Sequence, residues 1–402
     1  MTAPRPSTRG AEAPASPIRR LTPLADAAKA RGVTVHHLNI GQPDIPTPPA
    51  MIAAYRGYDE TVLAYAPSDG FRVYRDKLAL YYAKICGDTT PVAADDIIVT
   101  TGGSEALLFA LAAVCDPGDD IVVCEPYYTN YAGFAHMLSV GVRPVTTRAS
   151  DGFRIDPAAV RAAIGDRTRA LVLPSPGNPT GVVLSADELA ALAAICRERG
   201  IFFMCDEVYR EFVYDAPSGG LAPSILAIPD FEDHGIVIDS VSKRYSACGA
   251  RIGNLVTRNR AVRDAALRFA QARLSPATVD QYAAMAALDT PQRYFDEVIA
   301  EYRGRRDTLV AGLRRIGIAC TTPEGAFYLV APLPVADADA FCAWLLTDFD
   351  HQGETVMLAP ASGFYRSPSL GKNEARIAYV LGRDKLERCV EILGAAFAAY
   401  RD

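Results

Sequence analysis

The amino-acid sequence predicts an α/β protein, in which a large domain holds a mostly parallel sheet covered by helices and a smaller domain is α+β. From residue 97 onward, short β-branched runs alternate with helical segments. Near-continuous apolar strands of this kind are typical of a parallel sheet that is buried on both faces. The chain has 402 residues, more than one hydrophobic core usually supports, so its length predicts two or three domains.

Strands and helices can be placed from local patterns. The predicted strands are the apolar runs at residues 97–100, 121–124, 170–173, 201–205, 236–239 and 254–257. Ser185, with Glu188 three residues later, predicts a capping box that starts a helix over 185–199. Long helices are predicted over 260–271 and 276–314, before a mixed α+β segment.

The change of pattern along the chain predicts its division. We expect a disordered tail over 1–17, because this stretch is rich in Pro, Ala, Ser and Arg and has no apolar core. A large domain is expected over 51–299 and a small one over 300–402. The segment 18–50 is expected to pack with the small domain.

Composition and charge exclude several classes of protein. Lys and Arg number 41 against 47 Asp and Glu, and the net charge of −6 argues against a nucleic-acid-binding surface. No stretch approaches the roughly 20 apolar residues that a membrane helix needs. The nine cysteines, odd in number and without a CxxC pair, indicate reduced thiols in a cytoplasmic protein. The histidines show no ligand spacing, so no metal site is expected.

Two glycine-rich loops follow predicted strands. Residues 100–106 run from a strand through Gly102 and Gly103 into a helix, where backbone N–H groups and the helix dipole can bind a phosphate. A tight structural turn is an equal alternative. Residues 174–181 lie at the strand edge where ligands bind in open α/β sheets, and Asn178 would project an amide there. A rigid turn is the alternative for this loop.

Two further strand ends carry charged residues. Asp206 follows the run 201–205 and is either a helix N-cap or a buried charge that faces a cation, because a buried unpaired carboxylate is costly. Lys243 follows the run 236–239 and lies between serines, which is an unusual place for a surface lysine. A solvated loop lysine is the alternative interpretation.

Together these segments resemble the fold-type I, pyridoxal-phosphate-dependent aminotransferases of class I/II. The run SxSKxYSxxGxRxG at 240–253 is specific to that family, and PxNPTG at 176–181 and DExY at 206–209 support it. The resemblance covers residues from about 16 to 401 in the same order, with NIGQPD at 39–44 and NEARI at 373–377. It implies the aspartate-aminotransferase-like fold, whose large-domain sheet has seven strands.

The resemblance implies roles around the cofactor ring. Lys243 would bond to the cofactor aldehyde and then, once freed by substrate, move a proton between the substrate Cα and the cofactor. Asp206 would keep the pyridine nitrogen protonated. Tyr209 and Asn178 would hydrogen-bond the ring 3-oxygen. Tyr128 would stack on the ring, although aromatic side chains often simply pack in a core.

The resemblance also implies a phosphate site and a carboxylate site. Five residues would surround the cofactor phosphate: Gly103, Ser104, Ser240, Ser242 and Arg251. Tyr65 matches the tyrosine that reaches this phosphate from the neighbouring subunit, which implies a homodimer with shared active sites. Arg376 would bind the substrate α-carboxylate by a bidentate pair, with the backbone of Gly41 and the amide of Asn178 nearby.

The substrate is less clearly indicated. Residues 356–365 resemble aspartate-aminotransferase-like members, which favours aspartate or glutamate as amino donor. Some members that accept dicarboxylic substrates carry a lysine after the Gly-Gly turn, where this chain has Ser104. Arg273, Arg366 and Lys372 are candidate replacements, and each could equally be a surface charge.

Two other functions stay open on the sequence alone. The same residues serve pyridoxal-phosphate enzymes that do not transaminate: elimination or replacement enzymes, aminocyclopropane-carboxylate-synthase-like members and oxidative biosynthetic specialists. The second alternative is a transcription regulator with an aminotransferase-like effector domain. Only about 17 residues precede the matched region, too few for a helix-turn-helix unit, and the acidic balance disfavours this reading further. We therefore expect an aminotransferase that exchanges an amino group between an amino acid and a 2-oxo acid by a ping-pong mechanism.

Overall fold

The structure, a computed structural model, describes residues 4–87, 89–215 and 220–401, and within these ranges it contains three sheets. Their strands, in chain order, are β1 (Thr34–His37), β2 (Ile97–Thr100), β3 (Asp120–Glu125), β4 (Gly141–Thr146), β5 (Thr168–Pro174), β6 (Phe202–Asp206), β7 (Gly235–Ser240), β8 (Gly253–Val256), β9 (Tyr328–Pro332), β10 (Glu354–Met357), β11 (Ala359–Pro360) and β12 (Glu374–Ala378).

Helices connect and cover these strands. In chain order they are α1 (Thr8–Ala11), α2 (Thr22–Ala30), α3 (Pro49–Arg56), α4 (Arg72–Cys86), α5 (Gly102–Val114), α6 (Asn130–Met137), α7 (Pro157–Ala163), α8 (Ala186–Arg199), α9 (Val241–Arg244), α10 (Arg260–Arg273), α11 (Thr278–Ala287), α12 (Gln292–Arg315), α13 (Ala338–Thr347) and α14 (Arg383–Ala399). In the described part of the chain, no helix combines the length and the apolar character needed to cross a membrane.

The largest sheet has seven strands in the order β2-β8-β7-β6-β5-β3-β4. Strand β8 pairs antiparallel with both of its neighbours, and the other pairings are parallel. Successive residues of β2 enter different cores: Ile97 and Val99 pack on one face of the sheet and Ile98 on the other. Because both faces are covered, the strands are continuously apolar in sequence. The predicted fold class is confirmed.

The two smaller sheets surround a separate core. Strand β1 pairs parallel with β10, and β11, β12 and β9 form an antiparallel sheet. Ala25 of α2 and Leu21, which directly precedes this helix, are buried in this core with Val356 and Leu393. The segment before residue 50 therefore packs with the C-terminal part of the chain through both a strand pair and a helix.

The individually predicted strands and helices are present with one exception, a predicted helix that is two helices, and one strand of the seven-stranded sheet was not predicted. The capping box is present: Ser185 accepts a hydrogen bond from the backbone of Glu188, whose side chain accepts one from Ser185 in return. The single helix predicted over 276–314 is wrong, because α11 and α12 are separate helices. Pro291 stands immediately before α12. A proline disfavours helical backbone in the residue before it and has no N–H to donate, so the helix is interrupted there.

The second failure is strand β4, which has no counterpart among the predicted runs. It lies at the edge of the seven-stranded sheet, and its first four residues alternate exposed and half-buried positions before the buried Val145. Its sequence, GVRPVT, therefore lacks the apolar run by which the inner strands can be recognised. A proline is tolerated because an edge strand leaves one side without a partner.

Candidate active site

Twelve of the thirteen residues predicted for the site line one cavity of about 490 Å³. These are Gly41, Gly103, Ser104, Tyr128, Asn178, Asp206, Tyr209, Ser240, Ser242, Lys243, Arg251 and Arg376. The cavity lies at the carboxyl edge of the seven-stranded sheet, because several of these residues directly follow β2, β5, β6 and β7. Open parallel sheets bind ligands at this edge.

Lys243 lies on the single turn of helix that follows β7. Its Nζ donates a hydrogen bond to the carbonyl oxygen of Gly41 at 2.8 Å and lies 3.5 Å from Sγ of Cys248. Upstream, the hydroxyl of Ser240 caps this turn by accepting a bond from the Ser242 N–H. The lysine is thus held at the cavity wall by a backbone acceptor, with no carboxylate partner in the described ranges.

The Gly-rich turn between β2 and α5 leaves space for backbone to approach backbone. A Cβ atom at Gly253 would overlap the backbone of Gly102 and Gly103, and one at Gly102 would overlap the guanidinium of Arg251. Ser240 Oγ donates to Ser242 Oγ at 2.8 Å across the same wall. The first N–H groups of α5, two hydroxyls and one guanidinium therefore face a common space, a donor set that fits a phosphate.

Asp206, the last residue of β6, is buried. Its Oδ2 accepts a hydrogen bond from the hydroxyl of Tyr131 at 3.0 Å, and its Oδ1 one from the Val208 N–H at 3.4 Å. Both donors are neutral, and no ion pair to Asp206 exists within the described residues. Burial raises the pKa of this carboxyl to about 6, although the bond from Tyr131 counteracts it. Among the described residues, no cation contacts this carboxylate to compensate its charge.

Tyr209 and Gly41 meet at Tyr328, a residue that the sequence did not single out. The hydroxyls of Tyr209 and Tyr328 are 2.8 Å apart, and both residues are buried. A Cβ atom at Gly41 would overlap the Tyr328 ring. Glycine is therefore required at position 41 for the tyrosine to lie against the backbone that also accepts the bond from Lys243.

Arg376, on β12, is buried in the wall opposite the large sheet. Its guanidinium donates to Oδ1 of Asn178 at 3.1 Å and to the carbonyl oxygen of Asn39, and it lies 4.5 Å from the ring centroid of Tyr328. Its Nε is buried without a hydrogen-bond partner among the described atoms. Burial lowers the pKa of this guanidinium. A buried cation with an unsatisfied donor and no carboxylate is suited to bind an anion.

Tyr128 stands beside Tyr131 in the cavity wall. Their rings are perpendicular with centroids 5.6 Å apart, and the Asn130 amide donates to the Tyr128 hydroxyl at 2.9 Å. Burial raises the pKa of Tyr128 to about 12. The sequence did not single out Tyr131 and Tyr328, which belong to no short motif, and it gave no role to Asn39, the first residue of the NIGQPD motif. Only their contacts across long stretches of chain identify them.

Several predicted residues lie elsewhere. Tyr65 does not line the cavity of its own chain, and it is 80% exposed. Arg273 donates to the carbonyl oxygens of Ser68 and Val99 and lies beside Glu105, outside the cavity. Burial lowers the pKa of Arg273. Arg366 and Lys372 are likewise not part of the cavity lining. In the ranges that the structure describes, no group of three or more His, Cys, Asp or Glu could hold a metal ion.

A buried ionic network supports the backbone around Lys243. Asp239 accepts hydrogen bonds from Arg210 at 3.1 Å, from Arg244 at 2.8 and 2.9 Å, and from Tyr82 at 2.8 Å. It also accepts one from the N–H of Ser240 at 2.7 Å. The network thus fixes residues on both sides of Lys243.

We expect Asp239→Asn to lower the free energy of unfolding by about 3–5 kcal/mol at neutral pH, because two buried guanidinium groups lose a carboxylate. Burial alone would raise the pKa of Asp239, but the charges of Arg244 and Arg210 outweigh it and lower the pKa to about 2. The carboxylate therefore stabilises the fold above about pH 4 and loses this contribution as the pH falls toward 2. Urea unfolding measured as a function of pH should show that the difference in free energy of unfolding between wild type and variant becomes smaller in acid.

Asp76→Asn is the matched control, because Asp76 pairs with Arg72 on the surface. Exposed ion pairs contribute little, so this variant is expected to unfold like wild type. An Asp239→Asn protein as stable as the Asp76→Asn protein would contradict a structural role for the network.

Comparison with known proteins agrees with this geometry. The family described as aminotransferase class I and II matches residues 33–395. An aspartate/prephenate aminotransferase from Thermus thermophilus is 32% identical over 379 residues, which cover 91% of this chain and 93% of the relative. An LL-diaminopimelate aminotransferase from Desulforudis audaxviator is 33% identical over 381 residues, with 93% of each chain covered.

Solved structures give the same result. An alanine aminotransferase from Pyrococcus furiosus superposes with a TM-score of 0.90 at 28% sequence identity, covering 98% of this chain and 100% of that one. The family match spans nearly the whole length, and curated relatives exceed 30% identity over most of it. The chain therefore belongs to the aminotransferase class I and II family, and it is an aminotransferase.

Proposed function

We propose that the cavity binds pyridoxal 5'-phosphate and exchanges an amino group between an L-amino acid, aspartate or glutamate, and a 2-oxo acid by a ping-pong mechanism. The observation that carries this proposal is the convergence of Lys243, Asp206 and Arg376 on one cavity. A nucleophilic amine, a carboxylate that lacks a cation and a guanidinium that lacks an anion are complementary to this cofactor and to an α-amino acid. The relatives named above act on several different substrates, so the choice of aspartate or glutamate rests on the sequence.

The residues present fit the cofactor. The cavity offers a buried carboxylate without a cationic partner for a protonated pyridine nitrogen, and a glycine turn open to a phosphate. Bound there, pyridoxal phosphate supplies an electron sink for the carbanion formed at the substrate Cα. Gly103, Ser104, Ser240, Ser242 and Arg251 would hold its phosphate.

The remaining side chains would orient the ring and move protons. Asp206 would hold a proton on the ring nitrogen, and Tyr128 would cover one face of the ring. Tyr209 and Asn178 would donate hydrogen bonds to the ring 3-oxygen. The Nζ of Lys243 would bond the cofactor in the resting enzyme and, when released, carry the proton that leaves the substrate Cα.

Arg376 would bind the substrate α-carboxylate, with Gly41 and Asn178 beside it. Its two current partners are neutral oxygens, so an incoming carboxylate would supply the missing negative charge. A bidentate pair of this kind fixes the orientation of the amino acid relative to Lys243.

We further propose a homodimer in the cytoplasm. Tyr65 would reach the phosphate of the neighbouring subunit, and its high exposure in the single chain supports this, as do the exposed Val62 and Leu63 beside it. All nine cysteines are free thiols, which supports a reducing compartment. A monomeric mass in analytical ultracentrifugation would exclude the shared site.

The division into domains is part of the same proposal. A large domain over 51–299 would carry Lys243 and Asp206, and a small one over 300–402 would carry Arg376, with 18–50 packed on the latter. The pairing of β1 with β10 supports the last point. The disordered tail over 1–17 stays a prediction. Its residues 1–3 lie outside the described ranges, and its described part contains the short helix α1 and the buried Pro17. A site between two domains allows closure on the substrate.

The proposal is tested by mixing the cofactor-loaded protein with single amino acids in the absence of any 2-oxo acid. We expect conversion of the absorbance of the aldehyde form of the cofactor to that of its amine form, with one equivalent of 2-oxo acid released per site. Ammonia release, oxygen consumption or a cyclised product without the amine form would instead identify one of the non-transaminating alternatives.

A further inference from the structure

The charges that line the active-site cavity are unbalanced. Four cationic side chains, Arg19, Lys243, Arg251 and Arg376, face a single carboxylate, Asp206. The proposed function gives three of these cations a partner: the cofactor aldehyde, its phosphate and the substrate α-carboxylate. It gives none to Arg19, so this guanidinium is the cation of the cavity lining that has no assigned partner.

The backbone beneath Arg19 is held in place. The N–H groups of Arg19 and Arg20 both donate to the carbonyl oxygen of Ser16, at 3.1 and 2.9 Å. Pro17 is buried against Gly363, where a Cβ atom would lie only 2.6 Å from the proline. The arginine is thus presented by an ordered turn that packs on the C-terminal part of the chain.

The turn is linked to Arg376 through Asn39. The side-chain amide of Asn39 donates to the carbonyl oxygen of Ile18 at 2.8 Å, and the carbonyl oxygen of Asn39 accepts a bond from Arg376. Burial lowers the pKa of Arg376, and the nearby charge of Arg19 adds to this effect. Arg19 therefore lies on the side of the cavity where the α-carboxylate would bind.

The side chain of Arg19 has no partner among the described residues. It makes no hydrogen bond or ion pair with residues 4–87, 89–215 or 220–401, whereas its neighbour Arg20 pairs with Asp339. Arg19 is exposed while it lines the cavity, so it stands at the cavity mouth. The other candidate cation, Arg273, is already engaged outside the cavity.

We propose that Arg19 binds the second carboxylate of a dicarboxylic substrate and thereby determines side-chain specificity. This inference rests on the proposed function, since Arg376 must take the α-carboxylate for Arg19 to meet the other one. A planar guanidinium matches a carboxylate by two parallel hydrogen bonds, which a hydroxyl such as that of Ser104 cannot form. The arginine would thus supply the cation that this chain lacks after the Gly-Gly turn.

The test compares ligands that differ only in the distal group. Binding of succinate and of butyrate to the cofactor-loaded protein is measured by calorimetry for wild type, Arg19→Ala, Arg19→Lys and Arg20→Ala. We expect Arg19→Ala to weaken succinate binding about 10- to 100-fold and butyrate binding less than about twofold, because a charge-assisted pair is lost from one ligand only. Arg19→Lys should be intermediate, and Arg20→Ala should match wild type.

The reaction gives a second comparison, between aspartate and 2-aminobutyrate in the half-reaction described above. Arg19→Ala should reduce the preference for aspartate about 10- to 100-fold and leave the rate with 2-aminobutyrate within about twofold. An unchanged succinate-to-butyrate ratio in Arg19→Ala, or a wild type that does not prefer succinate, would overturn the assignment of Arg19. Absence of any 2-oxo acid product, with succinate binding still dependent on Arg19, would instead overturn the proposed transamination.

Discussion

Replacing Lys243 by alanine is expected to lower kcat for transamination by at least about 10⁴-fold, because the chain loses both the group that bonds the cofactor and the base that moves the Cα proton. Within the described ranges, no other lysine lines the cavity. The fold should survive, since within the described ranges the side chain of Lys243 makes only two hydrogen bonds, to Gly41 and Cys248. Steady-state kinetics test the expected loss of kcat, and circular dichroism tests whether the fold survives.

Lys77→Ala is a suitable control, because Lys77 pairs with Asp289 far from the cavity. It should retain wild-type activity. Small primary amines added to the Lys243→Ala protein should restore part of the rate, since a free amine can take over proton transfer but cannot be positioned as well. A Lys243→Ala enzyme within tenfold of wild type would show that another group performs the chemistry.

Asp206→Asn is expected to lower kcat about 10³-fold, because an amide carries no charge and cannot hold a proton on the ring nitrogen of the cofactor. Asp206→Glu should lose less, since it keeps the charge but changes its position. The ratio of the two rates, measured with the same amino donor, separates the charge from the shape of the side chain. Equal activity of Asp206→Asn and wild type would contradict the assigned role.

Although Asp206→Asn is expected to lower kcat, it should stabilise the cofactor-free protein. Burial raises the pKa of Asp206 from 3.8 to about 6, so ionisation of the folded state is unfavourable. Stability is therefore lost as the pH rises through this interval, and at pH 8 the penalty amounts to about 3 kcal/mol. Asp206→Asn should melt above wild type at pH 8 without cofactor and below it with cofactor. Below about pH 4, the cofactor-free variant and the cofactor-free wild type should have the same melting temperature.

Much of the fold could be predicted from the sequence, for a physical reason. Strands buried on both faces must be continuously apolar, so β2, β3, β5, β6 and β7 are visible as uninterrupted runs. Strand β4 lies at the sheet edge and carries no such run. The direction of β8 could not be read from its sequence either, since an antiparallel strand inside a buried sheet has the same apolar composition as its parallel neighbours.

Some residues of the candidate site could likewise be predicted from the sequence, and others could not. Residues within short motifs, such as Lys243 and Asp206, could be identified because the chemistry requires them at fixed positions after a strand. Tyr328 lies in no such motif, and its contact with Gly41 joins segments that are far apart in sequence. Asn39 lies in the NIGQPD motif, but its bond with Arg376 could not be predicted for the same reason. The importance of Arg19 also appears only in three dimensions, where its turn meets the C-terminal part of the chain.

In the proposed function, Lys243 is the residue that would bond pyridoxal phosphate. The most direct measurement is borohydride reduction of the cofactor-loaded protein, followed by proteolysis and mass spectrometry of the pyridoxyl-labelled peptide. We expect one label per chain, on Lys243, and no label in the Lys243→Ala protein. A label on another lysine, or an unlabelled chain that still transaminates, would contradict it.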